Sequence, residues 1–490
     1  MKSILPLLVF SLLYLSTAFG QTNLINVQAK KFKTSSGIEI EGELGYLEVL
    51  ENRNNPKSRK LNLKYIHLKS IAKKPTTPLV YLEGGDGLST WQAENPQDLE
   101  DWLPVLKVSD VIFVDRKGVG DETTTYVWMK DYPDDFMVSE KDAEKHYQIM
   151  TKDALKHFGE NNIDVKGYTL EQDANDIHDL MLALAFDSYS ILGFSFGSHI
   201  GMTLMTLYPN EVKRAILIGS DAPNQALNYP MYLEHHIKKL GNMFAKDSLL
   251  SKQIPDFEVL VSRVMKKLEQ KPVTVTIKNP LTQKDMNLKI GPFGLAFILR
   301  LDIDDANDIP VIPRLLYTID NGDYSMLTWF AQKRMVYGLA LPGDGINRQL
   351  ASGASMERWA LIKAEAEAST YNNVVNFPFS AAKNAWVQNE LSFDPTAPLL
   401  TNIPTLFITG DLDCRTPVEQ VEETKKGFEN ALHIIVENAG HEQAMWNAKI
   451  FDETIPAFLS GREINTVKAH NPEIKFITLE GKSGRHPSLK

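Results

Sequence analysis

The sequence predicts an α/β fold, with a mostly parallel central sheet, helices on both faces and an inserted, mainly helical cap. Three observations carry this. Short apolar runs, Pro78-Leu79-Val80-Tyr81-Leu82 and Asp110-Val111-Ile112-Phe113-Val114, each end in a glycine-rich loop. Strands buried on both faces of a parallel sheet read this way. A Gly-x-Ser-x-Gly turn, Gly193-Phe194-Ser195-Phe196-Gly197, joins one such run to a helical pattern. From about residue 224 to 396 the alternation of strands and helices gives way to helical patterns, and it resumes at Pro404-Thr405-Leu406-Phe407-Ile408-Thr409.

At 490 residues, 43% hydrophobic and 23% charged, the chain has room for two or three packed domains. Its formal net charge of −10 and scattered basic residues exclude a phosphate-binding stripe, so no nucleic-acid partner is expected. Residues 1–20 read as a secretory signal peptide. Lys2 gives the basic start, Ile4 to Tyr14 the apolar stretch, and Ala18 and Gly20 the small residues before cleavage near Gly20-Gln21. An exported chain, periplasmic or secreted, is therefore expected, without stable membrane insertion. Cys414 is the single cysteine, which rules out an intramolecular disulfide. No Cys/His cluster has zinc spacing, and no cofactor or metal is expected.

Taken in order, residues 21 to about 75 alternate apolar and polar positions, as antiparallel strands do. Gly37 to Gly42 and Leu61 to Leu68 are two of them, with a polar turn region over Asn52 to Lys60. The two buried strands follow, ending in Glu83-Gly84-Gly85-Asp86-Gly87 and Asp115-Arg116-Lys117-Gly118-Val119-Gly120. A helix is expected from Ser139 to Phe158 with Ser139 as N-cap. Another is expected from Leu170 to Phe186, with Thr169 and Gln172 forming a capping box. The serine turn comes next; its helix should stop at Pro209, and Arg214 to Gly219 reads as a strand. Within the cap, Met231 to Phe244 and Phe257 to Lys271 are helical, and Val273 to Ile277 with Met286 to Ile290 is a hairpin. The expected division is 21–223 as the first part of the core, 224–396 as the cap, 397–462 as the second part of the core, and 463–490 as a C-terminal extension.

The chemistry follows from the turn at Ser195. A serine hydroxyl attacks only if a base takes its proton and backbone donors receive the developing oxyanion. After the strand at Leu406 to Thr409 comes Gly410-Asp411-Leu412-Asp413, and after the strand at Leu432 to Val436 comes Ala439-Gly440-His441. Serine, aspartate and histidine, each in a loop after a strand and in that order, make Ser195, Asp413 and His441 the candidate triad. Asp411 is the alternative acid, and His199, one turn beyond Ser195, is read as structural. The candidate oxyanion donors are the backbone N–H groups of Phe196 and of the loop at Gly85.

Glu83-Gly84-Gly85-Asp86-Gly87 resembles the HGGPG loop of the prolyl-iminopeptidase and tripeptidyl-aminopeptidase branch of the α/β hydrolases. Asp115 to Gly120 is similar to that branch's D-x-R-G-x-G segment, and Tyr168 to Ser198 and Gly410 to Pro417 also fit. The resemblance covers about 35–223 and 397–460 and is weak across the cap. It implies the α/β-hydrolase fold and a serine exopeptidase whose helical cap restricts access to the N-terminal end of peptides. Two departures stand out: Glu83 and Asp86 replace the family's His and Pro, and Phe196 replaces an aromatic that is often Trp or Tyr. An aminopeptidase also needs a carboxylate facing the substrate ammonium. Glu83 and Asp86 are the substrate-binding candidates, alongside Asp302, Asp304, Asp305, Glu365 and Glu367 of the cap. The alternative for Glu83 is that it caps its own loop. A carboxylesterase or lipase using the same triad is the competing expectation, so the substrate is a small peptide or an ester.

Overall fold

The computed structural model describes residues 24–479 except 86, 121–123, 129–131, 249, 280–281, 335 and 465–467. The leader read in residues 1–20, Asp86 and half of the C-terminal extension lie outside the described residues.

Three long strands open the chain: β1 (Leu24–Lys33), β2 (Glu39–Leu50) and β3 (Lys60–Leu68). They pair antiparallel, and β3 joins the rest of the sheet antiparallel to β5 (Val111–Val114). From there the sheet is parallel, through β4 (Leu79–Leu82), β7 (Tyr189–Phe194), β8 (Val212–Ile218), β12 (Thr405–Gly410), β13 (Ala431–Glu437) and β14 (Lys468–His470). The ten strands lie in the order β1-β2-β3-β5-β4-β7-β8-β12-β13-β14. Two two-stranded sheets complete the strands of the described residues: β6 (Thr125–Val127) with β11 (Ala340–Pro342), and the hairpin of β9 (Val273–Lys278) and β10 (Asp285–Ile290).

Every residue of β4 and β5 is buried, because successive side chains enter opposite layers. Leu79, Tyr81, Val111 and Phe113 pack on one face with Trp102, Phe451 and Phe458. Val80, Leu82, Ile112 and Val114 pack on the other with Leu180, Met181, Ile200 and Met205. The second layer holds the helix Leu170–Ala183 and the helix Phe196–Leu207, which ends one residue before Tyr208 and two before Pro209.

Two local expectations need correction. Thr169 accepts the Gln172 N–H at 3.3 Å, but Gln172 does not reach back to complete a capping box. Its side-chain oxygen instead accepts from the Arg53 N–H at 2.9 Å, and its amide donates to Asn52 at 3.0 Å. A tertiary partner thus displaces the local one. The second correction concerns the cap. The helix Glu140–Glu160 begins at Ser139, whose hydroxyl accepts the Asp142 N–H, as the sequence predicts. Its buried face, Tyr147, Met150 and Phe158, packs with Leu240, Phe244, Leu260, Leu316 and Phe377 of the inserted segment. So residues from about 125 to 165, expected in the core, share the hydrophobic cluster of the cap. The helices Met231–Phe244, Phe257–Gln270 and Pro292–Asp302 supply much of the rest.

Candidate active site

Ser195 stands at the carboxyl end of β7, between that strand and the helix Phe196–Leu207. Its backbone has φ 51° and ψ −126°, a conformation rare for any residue with a side chain. The bend is held from both sides: the Ser195 N–H donates to Ile218 O at 2.9 Å and the Ser198 N–H to Ser195 O at 2.8 Å. It also needs close backbone approach. A Cβ on Gly197 would sit 1.9 Å from Leu82 O, so only glycine lets the helix start this near β4.

Asp413 and His441 come together at the ends of β12 and β13. His441 Nδ1 lies 2.7 Å from Asp413 Oδ2. The rest of the carboxylate is filled by its own loop: Oδ1 accepts the N–H groups of Arg415 and Thr416, both at 2.9 Å, and Oδ2 accepts the Thr416 hydroxyl at 2.6 Å. Burial opposes the Asp413 charge, yet His441 and these donors hold the carboxyl below its ordinary range. Burial likewise pulls His441 down, but the charge and hydrogen bond of Asp413 outweigh it and leave the imidazole above its ordinary value. Nε2, the other ring nitrogen, is buried and has no hydrogen-bond partner among the described residues.

The histidine and serine share one neighbourhood. The His441 ring is 5.2 Å from the Phe194 ring, and a Cβ on Gly219, the residue after the Ile218 that holds Ser195, would lie 3.0 Å from His441 Cε1. Asp411 is directed elsewhere. Its carboxylate pairs with Lys239 of the cap at 3.1 Å, and Lys239 also donates to its carbonyl. His199 is fully buried with Nε2 2.8 Å from Asp221 Oδ1.

The loop after β4 lies against the nucleophile. A Cβ on Gly84 would be 3.0 Å from Ser195 Cβ. Glu83 is engaged inside its own loop: one oxygen accepts the Gly84 N–H at 2.8 Å, and the other accepts from the Tyr81 hydroxyl at 3.0 Å and the Gln92 amide at 2.9 Å. This is the loop-capping alternative, and it leaves Glu83 poorly placed to meet a substrate ammonium. Asp86, the second candidate, lies outside the described residues. Four of the five cap carboxylates are also occupied, and the fifth, Glu367, is exposed. Asp302 pairs with Lys333 and Arg334, Asp304 with Arg415, and Asp305 accepts from Gln443 at 3.0 Å; Glu365 accepts the Met231 N–H at 3.1 Å.

Two roles escaped the sequence reading, in which Asp304 is only a candidate partner for a substrate ammonium. The first is Asp304, whose carbonyl accepts the His441 N–H at 3.0 Å while its carboxylate faces Arg415, two residues after Asp413. One cap residue thus supports both loops that carry the acid and the base. Nearby, His236 is held neutral, its pKa lowered by burial to about 4, and its Nε2–H donates to Ile303 O at 2.6 Å. The second is Arg116, visible in the sequence only as part of a glycine-rich segment. Asp115 beside it secures the neighbouring loop, accepting the N–H groups of Ser89 and Thr90 at 2.7 and 2.9 Å. A groove of about 830 Å³ lined by Met202, Pro223, Phe393, Leu400 and Phe428 contains none of these residues. Among the described residues no cluster of His, Cys, Asp and Glu is set to hold a metal ion, and no helix is long and apolar enough to cross a membrane.

Residues 77–253, which include the serine turn, match the family described as alpha/beta hydrolase fold. The chain has the α/β-hydrolase fold. Residues 373–469, which carry Asp413 and His441, match the family described as TAP-like protein. No curated protein matches the chain. Similar solved structures include the epoxide hydrolase CorEH, at 12% identity over 89% of this chain and 99% of that one, with a TM-score of 0.38. A thermophilic esterase from Thermogutta terrifontis is 13% identical over 89% and 98%, with a TM-score of 0.37. A bromoperoxidase from Bacillus anthracis is 16% identical over 85% and 99%, also at 0.37.

Proposed function

We propose that the chain is a serine hydrolase acting through Ser195, His441 and Asp413, and that it releases residues or short peptides from the N-terminus of small peptides. The observation that carries the first part is the His441 ring: Nδ1 is fixed on a buried carboxylate and Nε2 is left open beside the strained serine turn. In this reading His441 Nε2 takes the proton of Ser195 as its oxygen attacks the scissile carbonyl. The backbone N–H groups of Phe196 and Gly85 receive the oxyanion. The imidazolium then protonates the leaving amine, and water, activated by the same nitrogen, releases the acyl group. Asp413 holds the ring orientation and its positive charge.

The peptidase half rests on the TAP-like match over 373–469 and on the loop and D-x-R-G-x-G resemblance. The leader read in residues 1–20 supports a reaction outside the cytoplasm. The esterase alternative is favoured by one observation, the internal engagement of Glu83, which removes one carboxylate that could have anchored an ammonium.

A single comparison separates the two. A peptidase with an acidic anchor should hydrolyse aminoacyl anilides with a free amine and reject their N-acetyl forms by on the order of 10²-fold or more, the loss of one desolvated ion pair. An esterase should be indifferent to acetylation and prefer short acyl esters. Equal rates on free and acetylated anilides would end the aminopeptidase reading.

A further inference from the structure

Arg116 is almost fully buried, yet among the described residues no carboxylate bonds to its guanidinium. The contrast with Arg348 nearby is instructive. Arg348 is also buried and is paired with Asp173 and Asp344, as a buried cation ordinarily must be. Arg116 spends its donors on backbone. Nη1 donates to Glu83 O at 2.9 Å, and Nη2 donates to Gly84 O at 2.7 Å and Gly85 O at 2.8 Å. Three consecutive carbonyls of the loop after β4 therefore point at one guanidinium. The loop folds closely round it: the Arg116 N–H donates to Gly87 O at 3.0 Å, and a Cβ on Gly87, at φ +69°, would lie 2.3 Å from Arg116 Nε. On its other side the guanidinium carbon is 5.4 Å from the centre of the Phe196 ring.

Peptide geometry turns this clamp into a statement about the site. In a trans peptide the carbonyl and the following N–H point in opposite directions. With Gly84 O fixed on Arg116, the Gly85 N–H is directed away from it. The loop approaches Ser195 so closely that a Cβ on Gly84 would touch Ser195 Cβ. A cation behind the carbonyl end of a peptide also polarises its N–H, which strengthens that group as a donor to a developing negative charge. Burial, and after it the charge of Arg348, lower the Arg116 guanidinium to about 10, so it remains protonated at neutral pH.

We propose that Arg116 is a positioning residue for the oxyanion hole: it sets the plane of the Gly84–Gly85 peptide through three carbonyls and braces Phe196, the residue that supplies the second donor. The proposal rests on the serine-hydrolase reading above. It assigns a role to the arginine of the Asp115 to Gly120 segment through the carbonyls it holds.

The test uses the full chain, Arg116→Lys and Arg116→Met, with p-nitrophenyl acetate as substrate, which either a peptidase or an esterase with this triad would cleave. Lysine keeps the charge but cannot span three carbonyls with a planar fork. Loss of one oxyanion donor costs about 10²–10³-fold in kcat. Arg116→Met should therefore lose on the order of 10²-fold in kcat, and Arg116→Lys on the order of 10-fold, with KM changed by less than about threefold. Inhibition by phenylboronic acid, whose tetrahedral adduct places an oxygen in the hole, should weaken in parallel with kcat. The fraction of chains labelled by a fluorophosphonate at saturation should stay as in the parent. Unchanged kcat in both variants overturns the proposal. So does a loss confined to KM or to the labelled fraction, and so does loss of cooperative melting in both, which would make Arg116 a stability residue. A parent chain that neither labels nor turns over would refute the serine-hydrolase reading, and the proposal with it; an active parent with unaffected variants refutes the proposal alone.

Discussion

At the residue scale the site depends on three side chains whose surroundings divide the work. Ser195 is held in a backbone conformation that costs of order 1–3 kcal/mol, tolerated because β7, β8 and the following helix over-determine it. Ser195→Ala should abolish fluorophosphonate labelling and lower kcat by on the order of 10³-fold or more with the fold intact; retained turnover would remove Ser195 as nucleophile. The acid can be assigned in the same way. Asp413→Asn should cut kcat strongly, because the amide can donate towards Nδ1 and favour the wrong tautomer. Asp411→Asn should be milder, since Asp411 answers to Lys239. Reversed effects of the two substitutions would exchange the assignments.

The pH dependence follows from the same pair. His441 must be unprotonated to act as base, and Asp413 holds its pKa above the ordinary 6.5. The acid limb of kcat/KM should therefore fall above that value, with activity rising as pH increases through it. The matching stability effects have opposite signs. The raised His441 stabilises the fold below its unfolded pKa, and that contribution is lost as pH rises through the folded value. The lowered Asp413 stabilises it above its unfolded pKa, and that contribution is lost as pH falls through the folded value. A profile of kcat/KM against pH with a midpoint well below 6.5 would show that the ion pair does not control the base.

At the scale of elements, the cap reaches the catalytic loops through the helix Met231–Phe244 and the segment after the helix Pro292–Asp302. Lys239 holds the Asp411 backbone and carboxylate, and Asp304 holds the loops of Asp413 and His441. Substitutions in the cap that leave Asp304 in place should act on substrate entry. Lys239→Ala is expected to raise KM and shift preference among peptides while the rate of fluorophosphonate labelling changes by less than about twofold. Parallel loss of both would mean that the cap governs the chemistry instead of access. Part of this organisation was legible in the sequence. The helices Met231–Phe244 and Phe257–Gln270 and the β9–β10 hairpin show their period directly, since each buries one face. The allegiance of the helix Glu140–Glu160 was not legible, because an amphipathic stripe says that a face is buried and not which neighbour buries it.

Across the whole molecule, buried charges join the cap to the core. Arg348, from the helix Gly343–Ala351, pairs with Asp173 of the core helix and with Asp344, and donates to Lys117 O at 2.8 Å. The Arg348 and Asp173 side chains are 1% and 2% exposed. Removing one partner of such a pair typically costs about 3–5 kcal/mol, because the other charge stays buried. Asp173→Asn should lower the midpoint of denaturant unfolding accordingly, with Asp344 retaining part of the pairing. A change of less than about 0.5 kcal/mol, the range of ordinary surface substitutions, would show that the pair does not couple cap to core.

The sequence by itself determined the alternating sheet, the turn at Ser195, and the candidate acid and base in the loops after β12 and β13. These are local signals: strand-length apolar runs, glycines where backbones approach, and residue order relative to strands. Which carboxylate meets His441, which acidic residues are already engaged, and what Arg116 and Asp304 hold were decided only by tertiary structure. Asp411 and Asp413 are two residues apart in one loop, and Glu83 stands in a loop whose sequence suits either a ligand or a cap. A charged side chain takes its role from the partners that surround it once water is excluded. Those partners, Lys239 for Asp411, Gln92 for Glu83 and three backbone carbonyls for Arg116, come from chain positions whose proximity no local pattern encodes.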